Sequence, residues 1–116
     1  MLVKTYGSAV YGIDAITITI EVNVSSGIKF FLVGLPDNAV KESHYRIEAS
    51  IKNIVYRIAG KKFIINMAPA DIRKEGSSYD LPLAIGILAA TEQIKSVNID
   101  KYLIMGELGK LKGYFP

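Results

Sequence analysis

The sequence predicts an α/β (α+β) domain: one mixed β-sheet with two helices packed on one face, in the order β-β-β-α-β-α-β. Three observations carry that prediction. Over residues 16–24, Ile16, Ile18, Ile20, Val22 and Val24 share one face, and Thr17, Thr19, Glu21 and Asn23 the other. Period two with β-branched residues is a half-buried strand. Val40, Ile47, Ile51, Ile54 and Ile58 recur at spacings of seven, four, three and four, one helical stripe. Residues 81–90 are apolar nearly all round, which fits a largely buried helix.

The elements follow in chain order. Residues 3–10 read as a strand interrupted by Gly7, and Tyr11-Gly12 offers a bend. Ser25-Ser26-Gly27 offers a turn after the alternating strand. Residues 28–33 are a nearly continuous apolar run, which predicts a strand buried on both faces and paired with its predecessor as an antiparallel hairpin. Gly34-Leu35-Pro36-Asp37 then ends the strand. Asp37 is the N-cap of a helix running to about Ile58, because its carboxylate can accept from an unpaired backbone N–H. Lys41, Glu42, Arg46, Glu48 and Lys52 fall off the apolar stripe, and Gly60 supplies a stop.

Residues 63–67 form a short buried strand, followed by a polar loop over 68–79. Asp80 or Ser78 caps the second helix, with Pro82 tolerated in its first turn. Residues 102–105 are the last strand. This organises residues 1–108 as one domain and 109–116 as an irregular tail, shortened by truncation.

Composition removes several classes of function. With 116 residues, 50% hydrophobic and 22% charged, the chain is apolar enough for a core and large enough for one domain. Lys plus Arg is 14 against 11 acidic residues, so the net charge of +3 permits an acidic partner without demanding one. The absence of cysteine excludes disulfides and thiolate chemistry, and a single histidine, His44, excludes multi-histidine metal motifs. The first residues lack a secretory pattern, and no apolar run is long enough to cross a bilayer. The expected setting is the cytoplasm, with no membrane partner and no metal.

A phosphate-binding loop is missing. Gly106-Glu107-Leu108-Gly109-Lys110 lacks both the spacing and the hydroxyl, so this chain alone is not expected to hydrolyse ATP. His44 reads as an edge-of-core histidine or as a general base. The loop over 69–78 ends at a helix start, where Ser77 or Ser78 would sit in a positive field suited to an anion. The plainer alternative is that Ser77, Ser78 and Asp80 cap the helix while Arg73, Lys74 and Glu75 are a solvated charge run. Arg57, Lys61 and Lys62, with Lys52, gather where they can touch phosphate, with Tyr45 and Tyr56 as stacking candidates; a solvated helix end is the other reading.

Three stretches carry a resemblance. The first is Val33-Gly34-Leu35-Pro36-Asp37-Asn38-Ala39-Val40-Lys41-Glu42-Ser43. The second is Ala68-Pro69-Ala70-Asp71-Ile72-Arg73-Lys74-Glu75-Gly76, and the third Tyr79-Asp80-Leu81-Pro82-Leu83-Ala84. In that order they closely resemble the N-terminal domain of the Mg-chelatase-like AAA+ ATPases (ComM/YifB type). The opening Tyr6-Gly7-Ser8-Ala9, followed by Gly12-Ile13, resembles the family's start as well.

The resemblance implies a fold like domain 2 of ribosomal protein S5, shared with the proteolytic domain of Lon protease. It implies a non-catalytic accessory domain ahead of an AAA+ module, in proteins that process DNA during competence and recombination as ring-forming helicases. ATP and Mg2+ are then expected only for the downstream module, and none is expected in this chain. The implied partners are that module and single-stranded or branched DNA, with a hexamer expected only in the full-length protein.

Two alternatives accompany this reading. The stretch Lys74-Glu75-Gly76-Ser77-Ser78-Tyr79-Asp80 is similar to the Lys-Asp-Gly-Pro-Ser-Ala-Gly of Lon at the lysine, the acid, the glycine and Ser78. That makes Ser78 a candidate nucleophile of a serine hydrolase. It departs at Tyr79 and Asp80, and no base is positioned by the sequence; Lys110 and Lys112 are the late lysines. The other alternative is a stand-alone nucleic-acid-binding module using Arg57, Lys61, Lys62 and Lys74.

Overall fold

The alternating stretch builds the longest strand of the fold, and it pairs with the strand before it. The structure, a computed structural model, describes residues 2–52, 60–95 and 97–108. Strand β1 (Leu2–Tyr11) runs without interruption and turns at Gly12-Ile13 into β2 (Asp14–Ser26). The two pair antiparallel from Leu2↔Asn23 to Tyr11↔Asp14. Gly12 takes φ +67, the left-handed conformation that this two-residue reversal uses.

Strand β3 (Phe30–Val33) leads into α1 (Asn38–Lys41) and α2 (Ser43–Lys52), and the chain returns as β4 (Lys61–Ala68). The sheet order is β1-β2-β4-β3. β4 lies antiparallel to β2 and parallel to β3, so β3, the helices and β4 form a β-α-β unit. This corrects the expected hairpin: β2 and β3 are neighbours in sequence but have β4 between them. The parallel crossover places the returning strand inside. The reading of 28–33 as buried on both faces is corrected too. β3 is the sheet edge, with Phe31 44% and Val33 52% exposed, while Phe30 and Leu32 pack toward the core.

One face of the sheet is covered. Val3 of β1, Ile18, Ile20 and Val22 of β2, and Phe63, Ile65 and Met67 of β4 are buried beneath the helices. Their strand neighbours Lys4, Thr17, Asn23, Ile64 and Asn66 are exposed on the opposite face. Burying each such apolar side chain contributes about 1.5–3 kcal/mol. Helix α3 (Asp80–Ala90) crosses β1 and β2 closely because Gly86 presents no side chain: a Cβ there would lie 2.7 Å from Val22 Cγ2.

The first helix is broken, not continuous. Glu42 ends α1 and α2 starts at Ser43, yet Val40, Ile47 and Ile51 still bury as one stripe. Ile54 and Ile58 lie outside the described residues, as does the tail over 109–116. The expected last strand is also corrected. A 3-10 turn (Ile99–Lys101) is followed by one isolated bridge, Leu103 to Tyr6. The backbone beyond that bridge bonds elsewhere: Gly106 N–H donates to Ser78 O at 2.8 Å and Gly106 O accepts from Leu81 N–H at 2.9 Å. With its polar groups directed to the start of α3, this segment cannot extend a ladder.

Candidate functional site

The three motif stretches meet at one polar junction beside the sheet. At its centre Gly34 presses its backbone against the end of β4. It has φ +112, and a Cβ there would lie 2.1 Å from Met67 O. Leu35, at φ +56, then turns the chain toward the loop that follows β4, a loop that begins with the cis Ala68–Pro69 peptide. Pro36 forms a parallel bridge with Lys74. Leu35 O accepts from Lys74 N–H, and Asp37 N–H donates to Lys74 O, both at 2.9 Å.

Side chains close the same clasp. Asp37 Oδ1 accepts from Val40 N–H at 2.8 Å, so Asp37 is the N-cap that its sequence position predicted. Its other oxygen, Oδ2, accepts from Gly76 N–H at 3.1 Å. Lys74 is 0% exposed, and its ammonium donates to Gly34 O at 2.7 Å and to Pro69 O. Burial lowers the Lys74 pKa, and the negative charge of Asp71 opposes that shift.

The second half of the junction joins the helices. Arg46 binds both carboxylate oxygens of Asp80, at 2.6 and 2.8 Å, and donates from Nη2 to Ala39 O at 2.6 Å. Asp80 is 0% exposed and also accepts from Leu108 N–H at 3.1 Å. Hydrogen bonding to Asp80 holds the Arg46 pKa above its ordinary value. Neither Asp80 nor Ser78 caps α3, a correction. Tyr79 takes the cap position without a side-chain bond, and Asp80 faces Arg46 instead. Tyr79 is buried, and its hydroxyl donates to Ser8 O at 3.3 Å; burial raises its pKa, reinforced by Asp37 and Glu75.

The motif residues therefore divide. Gly34, Asp37, Lys74, Gly76, Asp80 and Pro82 build the framework, with Pro36 and Pro69 half-buried beside it. Lys41, Glu42, Asp71, Arg73 and Glu75 are exposed. Ser78 is half-buried; its carbonyl accepts from Gly106, and its hydroxyl has no hydrogen-bond partner among the described residues. The Lys74 ammonium is directed to two carbonyls, away from a role as base. Among the described residues no three His, Asp or Glu side chains converge as metal ligands, and no helix is long and apolar enough to cross a membrane.

Of the residues proposed to touch nucleic acid, Lys61 is exposed at the start of β4 and Lys62 is half-buried next to it. Arg57 lies outside the described residues, as does Tyr56. Lys74 is removed from that set, because an enclosed ammonium cannot reach a phosphate in solvent, and it is no member of a solvated charge run. Sequence reasoning missed the Arg46–Asp80 pair, placing Arg46 simply off the stripe. The one available signal was an acid in the first turn of an otherwise apolar helix. It also missed that His44 stacks on Phe30, with centroids 4.3 Å apart and planes 5° apart.

The fold and this junction define a small α+β domain in which Asp37, Lys74 and Asp80 of the motif stretches are consumed in joining its own elements. The chain belongs to the family described as subunit ChlI of Mg-chelatase, whose model matches residues 20–114. It is 46% identical over 109 residues to the uncharacterized protein YifB of Salmonella typhimurium, covering 90% of this chain and 22% of that protein. It is 40% identical over 116 residues to the competence protein ComM of Haemophilus influenzae, covering 97% of this chain and 23% of that one. An uncharacterized protein of Mycobacterium tuberculosis is 33% identical over 106 residues, covering 90% and 21%. The chain thus spans less than a quarter of the length of these relatives.

Proposed function

We propose that this chain is a non-catalytic accessory domain of a Mg-chelatase-like AAA+ ATPase that processes DNA in the cytoplasm. In this reading it precedes the ATPase module and offers surfaces to DNA, to a partner or to neighbouring subunits of a hexamer. ATP and Mg2+ belong to the module, not to this chain. The observation that carries the reading is the enclosure of Lys74 and Asp80, both 0% exposed and both bonded to the fold's own groups. A catalytic acid or base must be reachable by substrate. Family membership, the chain's share of its relatives' length, and the competence role in the name of one relative support the rest.

Two measurements test it. The purified chain is expected to show no ATP turnover and no casein cleavage above background, with Ser78→Ala indistinguishable from the parent. A chimera is expected to restore DNA processing: this chain replaces the matching segment of the Haemophilus protein, against a deletion that loses activity. Turnover abolished by Ser78→Ala would instead establish a hydrolase, and a chimera no better than the deletion would remove the accessory role.

A further inference from the structure

The two edges of the sheet are protected differently. Along β1 the outer backbone groups are met by the chain itself: Tyr6 O accepts from Ile104 N–H at 2.7 Å, and Ser8 O accepts from the Tyr79 hydroxyl at 3.3 Å. That strand also carries the exposed Lys4. The other edge is β3. Lys29 O accepts from Phe63 N–H at 2.8 Å, so by alternation Phe31 and Val33 turn their backbone groups to β4, while Phe30 and Leu32 turn theirs outward. Among the described residues, no backbone group supplies those outward N–H and C=O groups with a partner.

The devices that usually guard an edge strand are missing from β3. Phe30-Phe31-Leu32-Val33 contains no charge and no proline, and it follows β4 without a bulge from Phe30↔Phe63 to Val33↔Asn66. The side chains around it are apolar and uncovered. Phe31 is 44% exposed, Val33 52%, and Ile64, beside Phe31 on β4, 41%. Leu35 just beyond the strand is 52% exposed and Ile28 just before it 86%. Together they leave on the order of 500 Å2 of apolar surface open to water. Unpaired backbone groups between apolar side chains fit an extended strand of the same character.

We propose that β3 pairs with β3 of a second copy of this chain, antiparallel about a two-fold axis at Phe31. Phe30 of each copy then stands opposite Leu32 of the other, and all of their outward N–H and C=O groups are paired. On the open face the two Phe31 side chains meet directly across the axis, a cross-strand contact that aromatic residues favour. The same patch is covered on both copies, so the contact buries about 1,000 Å2, the least that a specific interface needs. Charge fixes the direction. Lys29 adjoins the strand and falls opposite Val33 of the other copy. The two lysines then stand about 14 Å apart, beyond the roughly 8–10 Å over which exposed charges interact at physiological salt. Parallel pairing in register would set them side by side. A two-fold contact uses one patch twice, whereas a ring is closed by two different patches. This contact is therefore separate from the ring of the reading above and does not rest on it.

The test is the mass of the full chain in solution, by sedimentation velocity from about 1 to about 300 μM, a range that spans weak and moderate interfaces. Wild type is expected to rise from 12.7 kDa toward twice that mass. Amide exchange followed by NMR should slow at Phe30 and Leu32 over the same range. Phe31→Lys sets two ammonium groups face to face and should weaken association by about tenfold or more, as should Phe31→Glu with its carboxylates. Mixing these two variants is expected to restore association, because residue 31 meets itself across the axis. Ile13→Lys, in the hairpin turn at 98% exposure, is the control and should leave association within about twofold. A chain that stays at 12.7 kDa throughout overturns the proposal. So does a dimer in which the Phe30 and Leu32 amides exchange as fast as in the monomer, a reading that needs no substitution. A mixture no better than either variant alone overturns it as well, as does an equal loss in Ile13→Lys, because the contact would then lie elsewhere.

Discussion

Arg46 on α2 grips the carboxylate of Asp80 on α3 with a pair of hydrogen bonds, Nε to Oδ2 at 2.6 Å and Nη2 to Oδ1 at 2.8 Å. The two residues are 34 positions apart. The carboxylate has no solvent exposure, and the arginine side chain keeps 23% of its own. Such a pair adds little net stability over an apolar contact, but breaking it strands a buried charge. Arg46→Ala is therefore expected to cost about 3–5 kcal/mol by urea denaturation. Arg46→Lys keeps the charge without the planar fork and should fall between. A loss under about 1 kcal/mol, the range of exposed pairs, would show that water replaces the guanidinium.

Lys74 predicts a pH dependence. Its folded pKa lies below its ordinary 10.5 because burial disfavours the ammonium. Between the depressed folded value and 10.5 the unfolded chain binds more protons, so this residue makes stability rise with pH across that window. Below the window the cost of burying the charge is fully present; above it the cost is gone. Tyr79, with a raised pKa, acts in the opposite direction above pH 10, so the comparison must be a difference. The stability of wild type relative to Lys74→Met should increase as pH climbs toward 10.5. A pH-independent difference would contradict the buried ammonium.

Gly34 tests the close approach at the clasp. Any side chain there meets Met67 O at 2.1 Å while also adopting φ +112. Gly34→Ala should cost about 3 kcal/mol or more, seen as a lower denaturation midpoint. Gly60→Ala has a positive φ, +79, with no atom of the described residues within 4 Å of the added Cβ, and should cost only about 1 kcal/mol. Equal losses would mean that conformation, not contact, requires glycine at 34.

Asp37 serves two elements at once, the start of α1 through Val40 N–H and the following loop through Gly76 N–H. Asp37→Ala loses both bonds and should cost about 2 kcal/mol, while Asp37→Ser keeps the cap and should cost about half that. Thermal unfolding distinguishes the two. Identical midpoints for the two variants would remove the bond to Gly76 from the account.

The elements themselves were legible in local pattern. The alternation in β2, the stripe of Val40, Ile47 and Ile51, the cap at Asp37 and the apolar α3 all stand where periodicity and end chemistry put them. These signals survive because a strand repeats every two residues and a helix every 3.6, whatever surrounds them. The motif stretches were visible as well, and all three do meet. The use of their charges was not visible. Nothing in Arg73-Lys74-Glu75 marks the middle residue as the buried one, because its environment is made by Gly34 and Pro69.

Sequence alone therefore settled the class of the domain and the family to which it is related, since both rest on short-range pattern. Folding in three dimensions decided the rest: that β4 separates β2 from β3, that residues 102–105 bridge β1 at one point instead of forming a strand, and that Lys74 and Asp80 face inward. Each of these turns on which distant groups come into hydrogen-bonding range. Pairings across tens of residues leave no periodic trace in the chain, because their energy belongs to the contact between elements and not to either element.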